Sequence, residues 1–459
     1  VSDTLSMNRV RHQMSAEAER VAVRRGEASS QASSDETRFT RQKTKDTGRN
    51  LLTQALAREN MHRAWKRVKA NKGAAGVDGL DISQTQEHLK HAWPTIKKQL
   101  LEGTYRPMPV RRVGIPKPDG SERELGIPTV IDRLIQQALL QVLQPLIDPT
   151  FSEHSHGFRP GRRAHDAVLR AQQYVQEGYR VVVDVDLSKF FDRVNHDILI
   201  DRLRKRVNDI GVIRLVRAYL NAGIMDGGMV SQRMEGTPQG GPLSPLLANV
   251  LLDEVDRELE RRGHRFARYA DDCNVYVRSE KAGERVMALL KRQYDKLHLK
   301  INESKSAVAS ALGRKFLGYE LYATKKGAVK RAVSDKAQDT FRQRIRQLTR
   351  RSGGRSISEI IDKLRPYVLG WKAYFGLSQT PGIWRELDEW MRHRMRAIHL
   401  KQWKRAKTIY RELLNLGATP NVALRVAQNS RRWWRNSRFA LNNVLTIAYF
   451  DRLGMPRLT

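Results

Sequence analysis

The pattern of apolar and polar positions divides this chain into two stretches of different character. Val181-Val182-Val183-Asp184-Val185-Asp186 carries β-branched residues at a two-residue period, which predicts a buried strand. Its parity sets Val181, Val183 and Val185 on one face and Asp184 with Asp186 on the other. Leu247, Leu251, Val255 and Leu259 recur every four residues, which predicts a helix with a core stripe, opened by a loop over 238–245. Nearer the start, helical patterning begins around Leu51, runs through Met61 to Trp65 and ends before the glycine-rich stretch Asn71 to Gly79. Pro118-Asp119-Gly120 predicts a turn, with Val113 and Ile115 on one hairpin arm and Arg123 to Leu125 on the other. A helix is expected from Arg133 to Ile147, stopped by Pro149. Two short strand-like runs, Arg265 to Arg268 and Asn274 to Val277, flank Tyr269-Ala270-Asp271-Asp272. Helices mixed with mostly antiparallel hairpins predict an α+β domain. After about residue 335 strand signals fade and basic helices take over, with Arg342, Arg346 and Arg350 on one face at i, i+4, i+8. Residues 1–49 hold few large apolar side chains and are expected to form a basic, polar leader, disordered or loosely helical.

Charge adds a partner to this picture. The 84 Lys and Arg against 49 Asp and Glu give a net charge of +35, an excess suited to a polyanion, most simply nucleic acid. No run reaches the ~18 apolar residues of a membrane helix, and no signal-peptide core opens the chain, so a cytoplasmic protein with no membrane partner is expected. The single cysteine, Cys273, excludes an intramolecular disulfide and any zinc site built on paired thiolates. The segment Met391 to Arg405 carries Arg392, Arg394, Arg396, Lys401, Lys404 and Arg405 with no acid, which favours phosphate contact over a self-paired solvated face. Arg431-Arg432-Trp433-Trp434-Arg435 alternates guanidinium with indole. Trp371, Trp384, Trp390 and Trp403 fit a helical core at least as well as base stacking. His154, His156 and His165 follow no zinc spacing, and polar satisfaction or RNA contact is the better reading. The glycine-rich stretch lacks the spacing of a phosphate loop, so no NTPase is implied.

The candidate chemistry lies in the acid pair. Adjacent carboxylates repel, and proteins usually hold them together where a divalent cation shares the charge. Nucleotidyl transfer uses two such ions about 4 Å apart, bridged by carboxylates from different strands. Asp186, at the end of its strand, is the partner for Asp271 and Asp272, with Asp184 and Asp192 as rivals.

Asp186-Leu187-Ser188-Lys189-Phe190-Phe191-Asp192, Pro238-Gln239-Gly240-Gly241-Pro242-Leu243-Ser244-Pro245 and Tyr269-Ala270-Asp271-Asp272 together resemble the ordered palm motifs of reverse transcriptases. More closely, the chain resembles bacterial group II intron-encoded reverse transcriptase/maturases. Asn71 to Gly79 is similar to that family's N-terminal loop and Ile115 to Ile127 to its fingers hairpin. His156 to Arg162, Asn302-Glu303-Ser304-Lys305, Phe316-Leu317-Gly318-Tyr319 and Leu364 to Trp371 match further motifs in order. The resemblance implies a right-hand polymerase fold, with fingers and an antiparallel palm over 50–330 and a helical thumb, or maturase X domain, over 335–420. A basic DNA-binding region would follow over 421–459. It implies that Asp186, Asp271 and Asp272 bind two Mg²⁺ ions, with Mn²⁺ able to substitute. Lys117 and Arg123 would clamp the triphosphate, Phe191 would exclude a 2′-hydroxyl, and Gln239, Gly240 and Lys305 would lie near the incoming dNTP. Lys72, Arg159, Arg162, Arg342, Arg346, Arg350, Arg392, Arg394, Arg396, Arg431, Arg432 and Arg435 are the expected RNA or DNA contacts.

The implied partners are the group II intron RNA in a ribonucleoprotein, the target DNA and dNTPs. Larger members carry a cysteine-bearing HNH endonuclease; this sequence stops at Thr459 with one cysteine, so the form without that domain is expected. Val1 hints at a non-standard start codon or a processed end, with Met7 an alternative start. Two other readings compete: a splicing cofactor without polymerase activity, disfavoured by the intact acids, and a reverse transcriptase of a defence or diversity-generating system, disfavoured by the maturase-like segment.

Overall fold

A computed structural model describes residues 50–116, 122–226, 229–231, 235–236, 240–351, 353–438 and 440–459, which form two compact units dividing at Ala311 and Leu312. Arg123 and residues 226, 229–231 and 440 are described by backbone alone. The polar leader and the Pro118-Asp119-Gly120 turn lie outside the described residues.

The strands of the first unit are β1 (Val110–Pro116), β2 (Glu122–Ile127), β3 (Val181–Val185), β4 (Ile224–Asp226), β5 (Met229–Ser231), β6 (Arg265–Tyr269), β7 (Asp272–Val277) and β8 (Ala307–Ser310). One sheet runs β2-β1-β4-β5 and the other β6-β7-β3-β8, and of their described pairings only β1 with β4 is parallel. The expected hairpin arms pair as read, Val113 opposite Leu125 and Ile115 opposite Arg123. The mixture of helices and chiefly antiparallel sheet is the anticipated α+β class.

β3 is covered on both faces. Val183 and Val185 are fully buried on the odd face, where Gly283 of the helix Glu280–Lys296 sits so close that a Cβ would meet Val308 at 2.4 Å and Val183 at 3.5 Å. On the even face Val182 is also buried, paired in register with Tyr276, whose ring packs 5.7 Å from Tyr174. The predicted core helix spans Ser244–Arg261, with Pro245 in its first turn, and Leu247, Leu251, Val255 and Leu259 are all buried. The early helical stretch is two helices, Leu51–Ala55 and Arg58–Asn71. The helix expected from Arg133 starts at Val130, because Thr129 caps it by accepting from the Asp132 N–H. It passes Pro145, ends at Ile147, and Pro149 falls in a 3₁₀ turn.

The second unit opens with a sheet ordered β11-β10-β9, formed by β9 (Lys315–Phe316), β10 (Tyr319–Ala323) and β11 (Val329–Val333). Helices follow at Asp335–Leu348, Ile357–Phe375, Pro381–Trp403, Ala406–Asn415 and Pro420–Gln428. Ser334 caps the first, and a Ser356–Glu359 capping box starts the second. Among the described residues no helix is long and apolar enough to cross a membrane.

Candidate active site

The β3–β7 register sets Val185 opposite Cys273. The next residue along the first strand, Asp186, therefore comes level with Asp272, and Asp271 lies one position away in the tip of the β6–β7 hairpin. That tip is short: Tyr269 pairs with Asp272, and Ala270 adopts φ 59°, left-handed backbone unfavourable for a residue with a Cβ. Asp186 is fixed by the loop after Asn302. Its N–H donates to Ser306 Oγ at 3.0 Å, its carbonyl accepts from Asn302 N–H at 2.8 Å, and the Lys305 ammonium stands 3.6 Å from its carboxylate. The late motif Asn302 to Lys305 thus brackets the first aspartate. Asp184 pairs in register with Asn274 one step into the sheet, away from the strand end.

Among the described residues no three His, Cys, Asp or Glu side chains converge as a ready metal cluster. The donor chemistry nevertheless fits a hard divalent cation: carboxylate oxygens at neighbouring strand ends, without thiolate or imidazole. Cys273 is buried between the strands, and burial pushes its thiol up to about 12, so it stays protonated. The histidines form no cluster either. His154 Nδ1 lies 3.1 Å from Tyr174 OH, while His156 is buried and burial holds its pKa down to about 4.

Beside the strand ends, Phe191 is buried in a 3₁₀ turn after left-handed Lys189 and packs edge-on against Phe190 at 5.0 Å. Gly240 has φ 131°, and a Cβ there would meet the Gly126 carbonyl of β2 at 2.6 Å, so only glycine fits. Lys117 and Gln239 lie outside the described residues, and Arg123 is placed only by its backbone opposite Ile115.

The sequence reading missed the residues beneath the hairpin. Arg268, 1% exposed, is bound bidentately by Asp256 and donates to Asn249 Oδ1 at 2.9 Å, Ala270 O at 2.9 Å and Ser155 Oγ at 2.8 Å. Burial opposes both charges and raises the Asp256 pKa, yet Asp256 more than offsets burial at Arg268 and keeps the guanidinium charged. Asn249 also donates to Gly157 O at 2.9 Å. Gly157 touches the hairpin tip, where a Cβ would meet Ala270 N at 2.2 Å. The available signal was a polar stripe on a core helix. Asn249, Asp253 and Asp256 follow at i, i+4 and i+7, and all three are buried.

The expected nucleic-acid contacts divide. Lys72, Arg346, Arg350, Arg431, Arg432 and Arg435 are exposed, with Arg346 also over the Trp390 ring at 5.6 Å. Arg162 is half-buried and donates to Glu153 O at 2.5 Å, and Arg342 pairs with Glu386 at 2.7 Å. Arg159 and Arg396 do not face outward as expected. Arg159 is 8% exposed and bonds Asp148 with the Ser152 and Ser155 carbonyls; Arg396 is 5% exposed and donates to Leu445 O at 2.9 Å. Arg394 is half-buried on Thr349, and Arg392 lies 3.8 Å from Asp388. From Met391 to Leu400 the acid-free run is thus largely an internal helix face, with Arg394 and Arg396 on a hydroxyl and carbonyls of other segments, while Lys404 and Arg405 are exposed. Trp371 is core, packed on Phe341 at 4.5 Å and on Trp384 at 5.3 Å, and Trp433 lies under the cations of Arg351 and Lys401.

Residues 115–321 match the reverse transcriptase (RNA-dependent DNA polymerase) family, and residues 338–416 match the group II intron maturase-specific domain. Protein YkfC of Escherichia coli (strain K12) is 39% identical over 218 residues, 46% of this chain and 56% of its own. The group II intron-encoded protein LtrA of Lactococcus lactis subsp. cremoris is 29% identical over 342 residues, 59% of this chain and 56% of its own. The chain therefore spans little more than half the length of these curated relatives. A solved chain of a partial Cas6-RT-Cas1--Cas2 complex aligns with 54% of this chain and 43% of its own at 25% identity, with a TM-score of 0.35, too loose a likeness to bear on the fold. The chain thus carries a reverse transcriptase domain followed by a group II intron maturase-specific domain, and is similar to group II intron-encoded proteins such as LtrA.

Proposed function

We propose that this protein is an RNA-directed DNA polymerase that binds its own group II intron RNA, assists its splicing and copies it into cDNA during retrohoming at a DNA target. The observation that carries the polymerase reading is the register that levels Asp186 with Asp272 at the tip of an acid-pair hairpin. The maturase-specific match over 338–416 supports the intron RNA as partner. The net charge of +35 suits a folded RNA held by charge and shape, in a cytoplasmic ribonucleoprotein.

In this reading Asp186, Asp271 and Asp272 hold two divalent ions, Mg²⁺ by preference. Bound there, such ions neutralise the charge on the attacking 3′-oxygen, the triphosphate and the leaving group. The chain's own residues bind and orient. Lys117, which follows β1 in the sequence, and Arg123 of β2 serve as cations for the triphosphate. Lys305, tethered beside Asp186, adds a positive charge at the same place. Phe191 lies below the sugar and rejects a 2′-hydroxyl by contact. The bare backbone of Gly240, with Gln239 before it, lets the incoming nucleotide approach closely. Splicing chemistry stays with the RNA, for which the protein is a clamp. Fingers, palm and thumb correspond to 50–330 and 335–420, with residues 421–459 as the DNA-facing segment through Arg431, Arg432 and Arg435.

The splicing arm is tested with precursor RNA made from the DNA flanking this reading frame, incubated at a Mg²⁺ concentration where the RNA alone is slow. Wild type and Asp271→Ala are both expected to raise the splicing rate equally. Absence of stimulation by either, with intact RNA, contradicts the maturase role.

A further inference from the structure

The hairpin that presents the acid pair is held from below by a buried polar cluster. Arg268 leads it, with its five donors directed at Asp256, Asn249, Ser155 and the carbonyl of Ala270, two residues ahead of it in the chain. Asp256 and Asn249 come from one face of the helix Ser244–Arg261, and Ser155 from the segment that forms a bridge with Arg268. That segment is fixed as well: His156 N–H donates to Arg268 O at 2.8 Å, and Arg268 N–H to His154 O at 2.9 Å. From the other side Gly157 presses its backbone on Ala270, and Asn249 holds the Gly157 carbonyl. Ala270 sits between them at φ 59°, 8% exposed. Alanine does not choose left-handed backbone unaided. Arg268 at its carbonyl and Gly157 at its N–H, both held by Asn249, thus converge on the residue from which Asp271 and Asp272 follow.

We propose that Arg268 is a positioning residue for the carboxylate pair: anchored by Asp256 and Asn249, its guanidinium holds the Ala270 carbonyl and so fixes the left-handed turn that aims Asp271 and Asp272 at their cation. The proposal rests on the polymerase reading above and deepens it. A charge alone does not suffice, because lysine can meet Asp256 but cannot reach Asn249, Ser155 and Ala270 O together. Loss of the turn loosens cation binding while the RNA-facing surface is untouched.

The test compares wild type, Arg268→Lys, Arg268→Lys/Ala270→Gly and Asn249→Ala as full chains, with folding followed by circular dichroism. Mn²⁺ binding is read by electron paramagnetic resonance in a complex with RNA template, dideoxy-terminated primer and the next dNTP, so that no turnover is needed. Template–primer affinity is measured separately. Arg268→Lys is expected to raise the Mn²⁺ midpoint roughly ten-fold or more, as loss of a group that orients metal ligands commonly does. Its template–primer affinity should stay within about two-fold, since only the turn is altered. Adding Ala270→Gly should restore much of the midpoint, because glycine takes the left-handed turn without the clamp. An unchanged Mn²⁺ midpoint in folded Arg268→Lys overturns the proposal, as does an equal loss of template affinity or no recovery with Ala270→Gly. Should Arg268→Lys not fold, Asn249→Ala decides: a smaller shift in the same direction supports the clamp, and none overturns it. A wild type that incorporates no dNTP in a parallel primer-extension reaction counts against the polymerase reading instead, which separates the two failures.

Discussion

Arg268 and Cys273 face each other across the β6–β7 hairpin, one step from the acid pair, and burial treats them in opposite ways. The guanidinium keeps its charge because Asp256 and neighbouring acceptors replace the water it lost. At the thiol, burial and the Asp256 charge outweigh the Arg268 charge and push it up to about 12. Cys273 should therefore resist alkylation: at pH 8 its reaction with iodoacetamide is expected to be at least ~100-fold slower in native than in urea-unfolded protein, thiolate fraction and access both falling. Mass spectrometry of the single thiol checks this, and equal rates would mean that the strand pair opens. The placement of Asp186, Asp271 and Asp272 at neighbouring strand ends was legible because each is written in a short local pattern. Arg268 was not, since its partners lie at 155, 249 and 256 and only the fold brings them under the turn.

Among the elements, the helix Pro381–Trp403 departs most from its sequence pattern. A run without acids looked like a phosphate-facing surface, but its arginines at 394 and 396 turn to Thr349 and Leu445. Periodicity reports which residues share a face, but not whether another segment covers that face with carbonyls. The same helix buries His399, whose Nε2 lies 3.1 Å from Tyr449 OH, beside Trp403 and Phe450. Burial lowers its pKa from 6.5 to about 4. Between those values the unfolded chain takes up a proton that the folded chain refuses, so this contribution to stability is whole above about pH 6.5 and declines towards pH 4. From pH 7 to pH 5 the loss should be about 2 kcal/mol. His399→Gln is expected to flatten that part of the stability–pH curve in urea titrations at the two pH values, and an unchanged slope would place the sensitivity elsewhere. By contrast, the helix Ser244–Arg261 and the paired arms β1 and β2 followed their patterns, because leucine spacing and short strand runs act locally.

At the scale of the whole molecule, the net charge of +35 suits a polyanionic partner but does not say which cations would meet it. The structure sorts them. Arg431, Arg432 and Arg435 are exposed, whereas Arg159 and Arg396 are internal. Replacing the exposed three by alanine should lower the slope of log affinity against log salt for nucleic acid by roughly 2, at about 0.7–0.9 per lost phosphate contact. Arg396→Gln should leave that slope unchanged and lower the denaturation midpoint instead, because Leu445 O loses its donor. Filter binding across a salt series checks both, and a slope unmoved by the triple variant would remove the 421–459 segment from the interface. The central claim is tested most directly by dNTP incorporation on a primed RNA template with Mg²⁺, wild type beside Asp271→Ala. Wild type is expected to extend the primer. The variant should be slower by roughly 10³-fold or more, since ion-mediated charge stabilisation is worth several kcal/mol. No extension by a folded wild type, or undiminished extension by Asp271→Ala, would contradict a polymerase site at these carboxylates.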